Sequence, residues 1–123
     1  MTDWFEKLPG KCPPDNAFSP EGFTFYRLSN SEKPTESDFL SQRALSPTSN
    51  FKGVSDCVAL SLSVWDDINK CLNLTKLPRH KGKSVLLLKL KREDGLVLKT
   101  FKPNHFSWWR TKSFDFSTVE IIK

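Results

Sequence analysis

The sequence predicts a small single α+β domain over residues 1–123, built mainly on an antiparallel or mixed sheet with one or two short helices. Three observations carry this expectation. Residues 23–28, 84–91 and 96–101 have the period-two pattern of strands. Residues 64–72 instead place Trp65, Ile68 and Leu72 on one face at helical spacing, with Cys71 beside them. The chain has 123 residues with 10 Phe, 4 Trp and 1 Tyr, which is the size of one domain. It is rich in the large side chains that so small a core needs, and disordered chains are poor in them.

The elements follow in chain order. Residues 1–20 read as an extended N-terminal wrap, because Pro9, Pro13, Pro14 and Pro20 forbid a long helix and Gly10 adds a turn. Trp4, Phe5 and Phe18 are placed to pin it to the body. The first strand, 23–28, puts Phe23, Phe25 and Arg27 on one face and Thr24, Tyr26 and Leu28 on the other. The polar stretch 29–53 is long for a structureless loop. A helical turn at 36–42, capped by Thr35 or Ser37, breaks it up, and loops of this length often carry function. A second strand over 57–62 runs straight into the helix 64–72, with Ser63 as its N-cap and Asp66 favouring the positive helix start. Pro78 ends any continuation. Strand 84–91 buries Leu86, Leu88 and Leu90. Arg92-Glu93-Asp94-Gly95 is expected to make a hairpin turn through its Asp-Gly pair, with 96–101 as the return strand, which Pro103 and Asn104 break. Residues 105–110 are extended, and 116–122 form a final strand.

Charge is unevenly spread. The net charge of +5 hides a segment, 76–112, in which 11 Lys/Arg stand against 2 acids for a net +9, whereas residues 1–75 carry 7 against 10 for a net −3. A field of that sign attracts a nucleotide, a nucleic acid or another anionic partner, although lysines on strands also guard sheet edges. The odd number of cysteines, Cys12, Cys57 and Cys71, makes a disulfide framework unexpected and points to a reducing compartment. On that reading Cys57 and Cys71 are small core residues. Their spacing and that of His80 and His105 match no zinc motif, so no metal is expected. No apolar run approaches the roughly 18–20 residues that span a bilayer, and residues 1–10 lack the basic and apolar regions of a signal peptide. A cytoplasmic protein without a membrane partner is therefore expected.

Five residues stand out as site candidates. Arg27 shares its strand face with phenylalanines, where a charge needs a partner: solvent reached from the strand end, an internal ion pair, or a bound phosphate or carboxylate. Ser61 lies at a strand-to-helix junction, where anions bind, but without the elbow of a serine hydrolase. His105 and Trp108 belong to the run Asn104-His105-Phe106-Ser107-Trp108-Trp109-Arg110. Adjacent tryptophans there point to opposite faces, so either both close the core or one stacks a base or nicotinamide. Glu120 stands alone among Val119, Ile121 and Ile122, as a catalytic carboxylate or as half of an ion pair.

The order Tyr26-Arg27 on a first strand, Ser61-Leu62-Ser63 at a junction and Glu120 on a late strand resembles the arginine–serine–glutamate layout of the ADP-ribosyltransferase-like superfamily. The resemblance implies NAD as cofactor. Arg27 would hold its phosphate or ribose, Ser61 would support the pocket, and Glu120 would polarise a ribose hydroxyl as nicotinamide leaves. His105 joins Glu120 as a catalytic candidate and Trp108 joins Arg27 and Ser61 as a cofactor-binding one. The sequence departs from the family in Ser61-Leu62-Ser63, where Ser-Thr-Ser is usual, and in Thr118-Val119-Glu120, where an acid precedes the glutamate by two. Binding without activity is thus one form of this reading. Two alternatives belong to other classes: a basic nucleic-acid-binding module using segment 76–112 with Phe101, Phe106 and Trp108, and a non-catalytic interaction protein such as a toxin or defence component.

Overall fold

A computed structural model describes residues 3–29, 33–48, 51, 53–80 and 82–122. Met1 and Thr2 of the expected wrap, residues 30–32, 49, 50 and 52 of the polar stretch, Lys81 of the basic segment and the C-terminal Lys123 lie outside them. The architecture is α+β: three short helices and a six-stranded antiparallel sheet. The strands are β1 (Phe25–Leu28), β2 (Leu62–Trp65), β3 (Val85–Leu88), β4 (Gly95–Lys99), β5 (His105–Arg110) and β6 (Glu120–Ile121), in spatial order β4-β5-β2-β1-β3-β6. The helices are α1 (Gln42–Leu45), α2 (Asp56–Ala59) and α3 (Ile68–Leu74). Among the described residues no helix is long and apolar enough to cross a membrane.

Alternation along the strands builds one apolar layer. Register sets Leu62 opposite Trp108 and Val64 opposite Phe106, Val97 opposite Trp108 and Phe25 opposite Leu88. All of these are buried in one cluster with Phe39, Leu86, Leu90 and Phe114. Strand β5 lies between β4 and β2, and all six of its residues are buried. The β4–β5 hairpin starts at Gly95, whose φ of +132° and closeness to the Trp109 carbonyl leave no room for a Cβ.

The middle of the chain differs from the sequence reading. Residues 57–61 are not a strand, and no helix starts at Val64. Cys57 instead lies in α2, which Ser55 caps by accepting from Val58 N. The strand is Leu62–Trp65, and α3 begins only at Ile68 with Asp67 as its cap, accepting from Asn69 N at 2.9 Å. Val64 and Trp65 suit a strand, and Leu62 and Val64 bury on one face while Ser63 and Trp65 are half-buried on the other. Period two therefore wins over the helical spacing of Trp65 with Ile68. The final strand also shrinks: Phe116–Thr118 is a 3-10 turn, and only Glu120–Ile121 pairs.

Residues 3–20 contain no helix or strand and lie along the sheet edge. Phe5 N donates to Arg110 O, and Phe18 and Val97 exchange both backbone bonds. The cysteine expectation is corrected here. Cys12 and Cys57 form a disulfide that ties this segment to α2, and only Cys71 is free, buried under the sheet. Two thiols 45 positions apart in sequence leave no local signal of their pairing. With the pair formed, the cysteines no longer point to a reducing compartment.

Candidate functional site

The site grows from a break in the sheet. Strand β1 pairs with β3 at four positions but with β2 at one only, Tyr26 opposite Trp65. Beyond that pair the ladder stops, and the side chain of Arg27 takes its place. Its Nη1 donates to Ser63 O, and its Nε donates to Asp38 O at 2.9 Å. A guanidinium has five N–H donors, so three remain without an acceptor among the described residues. Burial pulls the Arg27 guanidinium down to about 10, against the opposing influence of Asp38 and Cys71, which leaves it charged at neutral pH. Beneath it, burial pushes the Cys71 thiol up to about 12, so that sulfur is no nucleophile.

Around Arg27 lies a cavity of about 310 Å³, near the lower end of the size range of small-molecule sites. Ser37 and Asp38 enter it from the 3-10 turn Glu36–Phe39, which Thr35 starts by donating its N–H to Asp38 Oδ2 at 2.8 Å. Ser61 and Ser63 bracket the start of β2, and Ser107 faces Ser63 across the ladder. Lys83 and His80 add positive or titratable groups, and Trp65 and Phe101 close one side. The Ser61 hydroxyl donates to Val58 O at 2.7 Å, which seals the end of α2 and leaves its oxygen able to accept. The His80 imidazole lies below its usual range through burial and the nearby Lys83 and Arg79, and its Nδ1 is buried without a hydrogen-bond partner.

The five sequence candidates separate into four places. Arg27 and Ser61 line this same cavity. His105 lies next door, in a second cavity that shares the Trp65–Phe101 wall. Trp108 is fully buried, edge-on to Phe114 with its indole N–H donating to Asp94 O at 3.0 Å. It has no open face on which a ring could stack. Its neighbour Trp109 is buried as well and donates to Cys57 O, so both tryptophans close the core. Glu120 sits exposed on β6, paired with Leu87 at the far edge of the sheet and two strands from β1. Ser63, expected as a cap, is a strand residue whose carbonyl serves Arg27.

Asp38, His80, Lys83 and Trp65 were not among the candidates. The length and polarity of 29–53 marked the loop that supplies Asp38, and the +9 segment contains His80 and Lys83. For Trp65 the helical reading concealed the signal. No family model, no curated protein and no solved structure matches the chain.

Proposed function

We propose that the Arg27 cavity binds a phosphate-bearing nucleotide, with NAD as the ligand that the ADP-ribosyltransferase-like resemblance implies. The observation that carries this reading is Arg27 itself: a charged guanidinium held by two backbone carbonyls, with three donors left over, in a cavity that also holds Ser61. A planar fork with free donors suits phosphate, the serine oxygens suit ribose hydroxyls, and Lys83 adds to the field. Binding, rather than group transfer, is the activity proposed. Glu120 lies at the other edge of the sheet, and the carboxylate lining the cavity, Asp38, is already bonded to the turn that bears it.

The reading is tested by calorimetric titration of NAD, with inorganic phosphate as a control. Arg27→Lys keeps the charge and loses the fork, and is expected to weaken binding at least tenfold. Lys83→Glu, on a rim position less tied to the fold, is expected to weaken it several-fold and to steepen its loss with salt. NAD that gives no saturable heat, or that binds Arg27→Lys as it binds the wild type, would refute the proposal. The basic nucleic-acid alternative keeps only part of its equipment. Of its three aromatics, Phe106 and Trp108 are core residues and Phe101 alone is exposed, at 66%.

A further inference from the structure

Beside the Arg27 cavity, across Trp65 and Phe101, lies a second and larger one of about 580 Å³, lined by α3 on one side and by the β4–β5 hairpin tip on the other. Its wall is aromatic. The His105 ring stands edge-on to Trp65 with centroids 5.1 Å apart and tilted against Phe101 at 5.5 Å. Leu74 and Pro103 add apolar surface, and Lys70, Lys102 and Asn73 supply cations and an amide around it.

Two features show that this surface is built to be presented. Among the described residues Phe101 is the most exposed of the large apolar side chains, and its φ of +61° lies in the left-handed region that a bulky residue rarely enters. Local strain of that kind persists only where surrounding structure over-determines it, and it gathers at ligand clamps. Here the bracing is visible. Lys102 N donates to Thr100 O at 2.8 Å, His105 N to Lys102 O at 3.2 Å and Asp66 N to Asn104 O at 3.0 Å. Asn104 Nδ2 returns a bond to Asp66 Oδ1 at 2.8 Å. The hairpin tip is thereby tied to the end of β2, and Phe101 is held out beside Trp65 before any ligand arrives. Preorganisation of this sort lowers the ordering cost of binding.

The second feature is the tautomer of His105. Its Nδ1 lies 3.1 Å from Thr100 O, a carbonyl that can only accept, so Nδ1 donates. Nε2 is then an acceptor, and no described residue bonds it. Burial, together with Lys102 and Arg27, lowers the pKa of this imidazole, against the bond to Thr100, which keeps it neutral. The cavity therefore offers aromatic faces, one ring nitrogen that accepts, and two flanking ammonium groups.

We infer that this second cavity is a binding site, separate from the Arg27 cavity, for a planar nitrogen heterocycle bearing an anionic group: the ring packs between Trp65, Phe101 and Leu74, a ring or exocyclic N–H donates to His105 Nε2, and the anion meets Lys70 and Lys102. Stacking of a base on such residues contributes about 1–3 kcal/mol, and the lysines select for charge.

The test uses adenosine 5′-monophosphate as the probe, read by tryptophan fluorescence and by backbone amide shifts. It includes Ser61→Phe, which occupies the Arg27 cavity at a residue that does not line the second. In that variant the nucleotide is expected to bind with shifts at Lys70, Asn73 and His105. Ribose 5-phosphate and adenosine, each lacking half of the recognised chemistry, are expected to bind at least tenfold more weakly. Phe101→Ala and Lys102→Glu change exposed side chains, and each is expected to weaken binding at least tenfold. Leu74→Trp, which fills the second cavity, is expected to abolish it. The inference is overturned if the nucleotide shifts none of these amides, if Phe101→Ala and Lys102→Glu bind as the wild type does, or if ribose 5-phosphate binds equally well. It is also overturned if only a single-stranded oligonucleotide binds, with a steep salt dependence, which would assign the surface to nucleic acid. Loss of binding confined to Arg27 variants would bear on the first cavity and not on this one.

Discussion

Two arginines come off neighbouring parts of the same sheet and end in opposite states. Arg110, on β5, is the more fully engaged. Its three nitrogens reach Thr111 O, Phe39 O and Phe114 O, its Nη1 lies 3.7 Å from Glu36, and its guanidinium stacks over Phe5 at 3.7 Å and Phe114 at 5.2 Å. Arg27, on β1, makes two bonds to carbonyls and, among the described residues, no ion pair. The difference follows from the strands that carry them. Strand β5 pairs with β4 as far as Arg110 and with β2 from His105 to Trp108. Beyond β2 the N-terminal segment closes the open side, Phe5 N donating to Arg110 O, so the charge of Arg110 is met by what packs on it. Strand β1 parts from β2 after a single pair, and the gap leaves room for something else. A cation met by three carbonyls, a carboxylate and two rings holds a fold together; one met by two carbonyls beside a cavity is equipped to hold a ligand.

Breaking the disulfide is expected to have the largest effect on this contrast. Cys57 sits on α2, whose Val58 lines the Arg27 cavity, and its partner Cys12 lies in the segment that also packs on Arg110. By loop entropy, closing 45 residues stabilises by about 4 kcal/mol. Cys12→Ser should lose most of that in denaturant unfolding, and the loss should match that caused by a dithiol reductant in the wild type. Next in size is Arg110→Met, which strands three carbonyls and Glu36 and should cost about 3 kcal/mol. Arg27→Met should cost only about 1 kcal/mol, since water in the cavity can serve the two carbonyls it leaves. Equal losses at the two positions would erase the distinction drawn between them.

The sheet was legible wherever alternation was unopposed. Leu86 and Leu88 fall where period two places them, and Thr35 is the cap that the polar stretch called for. The hairpin expected at Asp94-Gly95 does not form: β3 and β4 lie apart in the sheet, and β4 returns along β5 instead, a pairing that no local turn signal reveals. Legibility failed at 57–72. There Val58-Ala59-Leu60 is a short apolar run that suits strand or helix alike, and Trp65 satisfies both a strand face and a helical face. Only its pairing with Tyr26 and His105 decides between them, and that information is non-local. The same holds for Trp108, whose burial depends on a partner six residues ahead, Phe114. The site divided along similar lines. Arg27 and Ser61 were marked by local incongruity, a charge among phenylalanines and a hydroxyl at a junction. Asp38 and Lys83 join them only through the fold.

A smaller effect concerns protons. His105 and His80 both have lowered pKa values in the folded chain, so the unfolded chain binds more protons below its ordinary histidine value near 6.5. Stability supported by the neutral rings is then full above about pH 6.5 and is lost as pH falls below it. His105→Gln should flatten the dependence of the unfolding midpoint between about pH 7 and 5, leaving the contribution of His80. An unchanged slope would mean that the ring at His105 is as free to protonate in the fold as in the unfolded chain.

The contrast between the two arginines comes to its most direct test in one titration series. NAD is titrated calorimetrically into the wild type, Arg27→Lys and Arg110→Lys, with the folded fraction of each fixed beforehand by denaturant unfolding. Saturable binding is expected in the wild type and, per folded molecule, in Arg110→Lys, with affinity at least tenfold lower in Arg27→Lys although that variant remains the more stable of the two. No saturable binding in the wild type, or equal affinity in Arg27→Lys and the wild type, would contradict the assignment of Arg27 to a ligand.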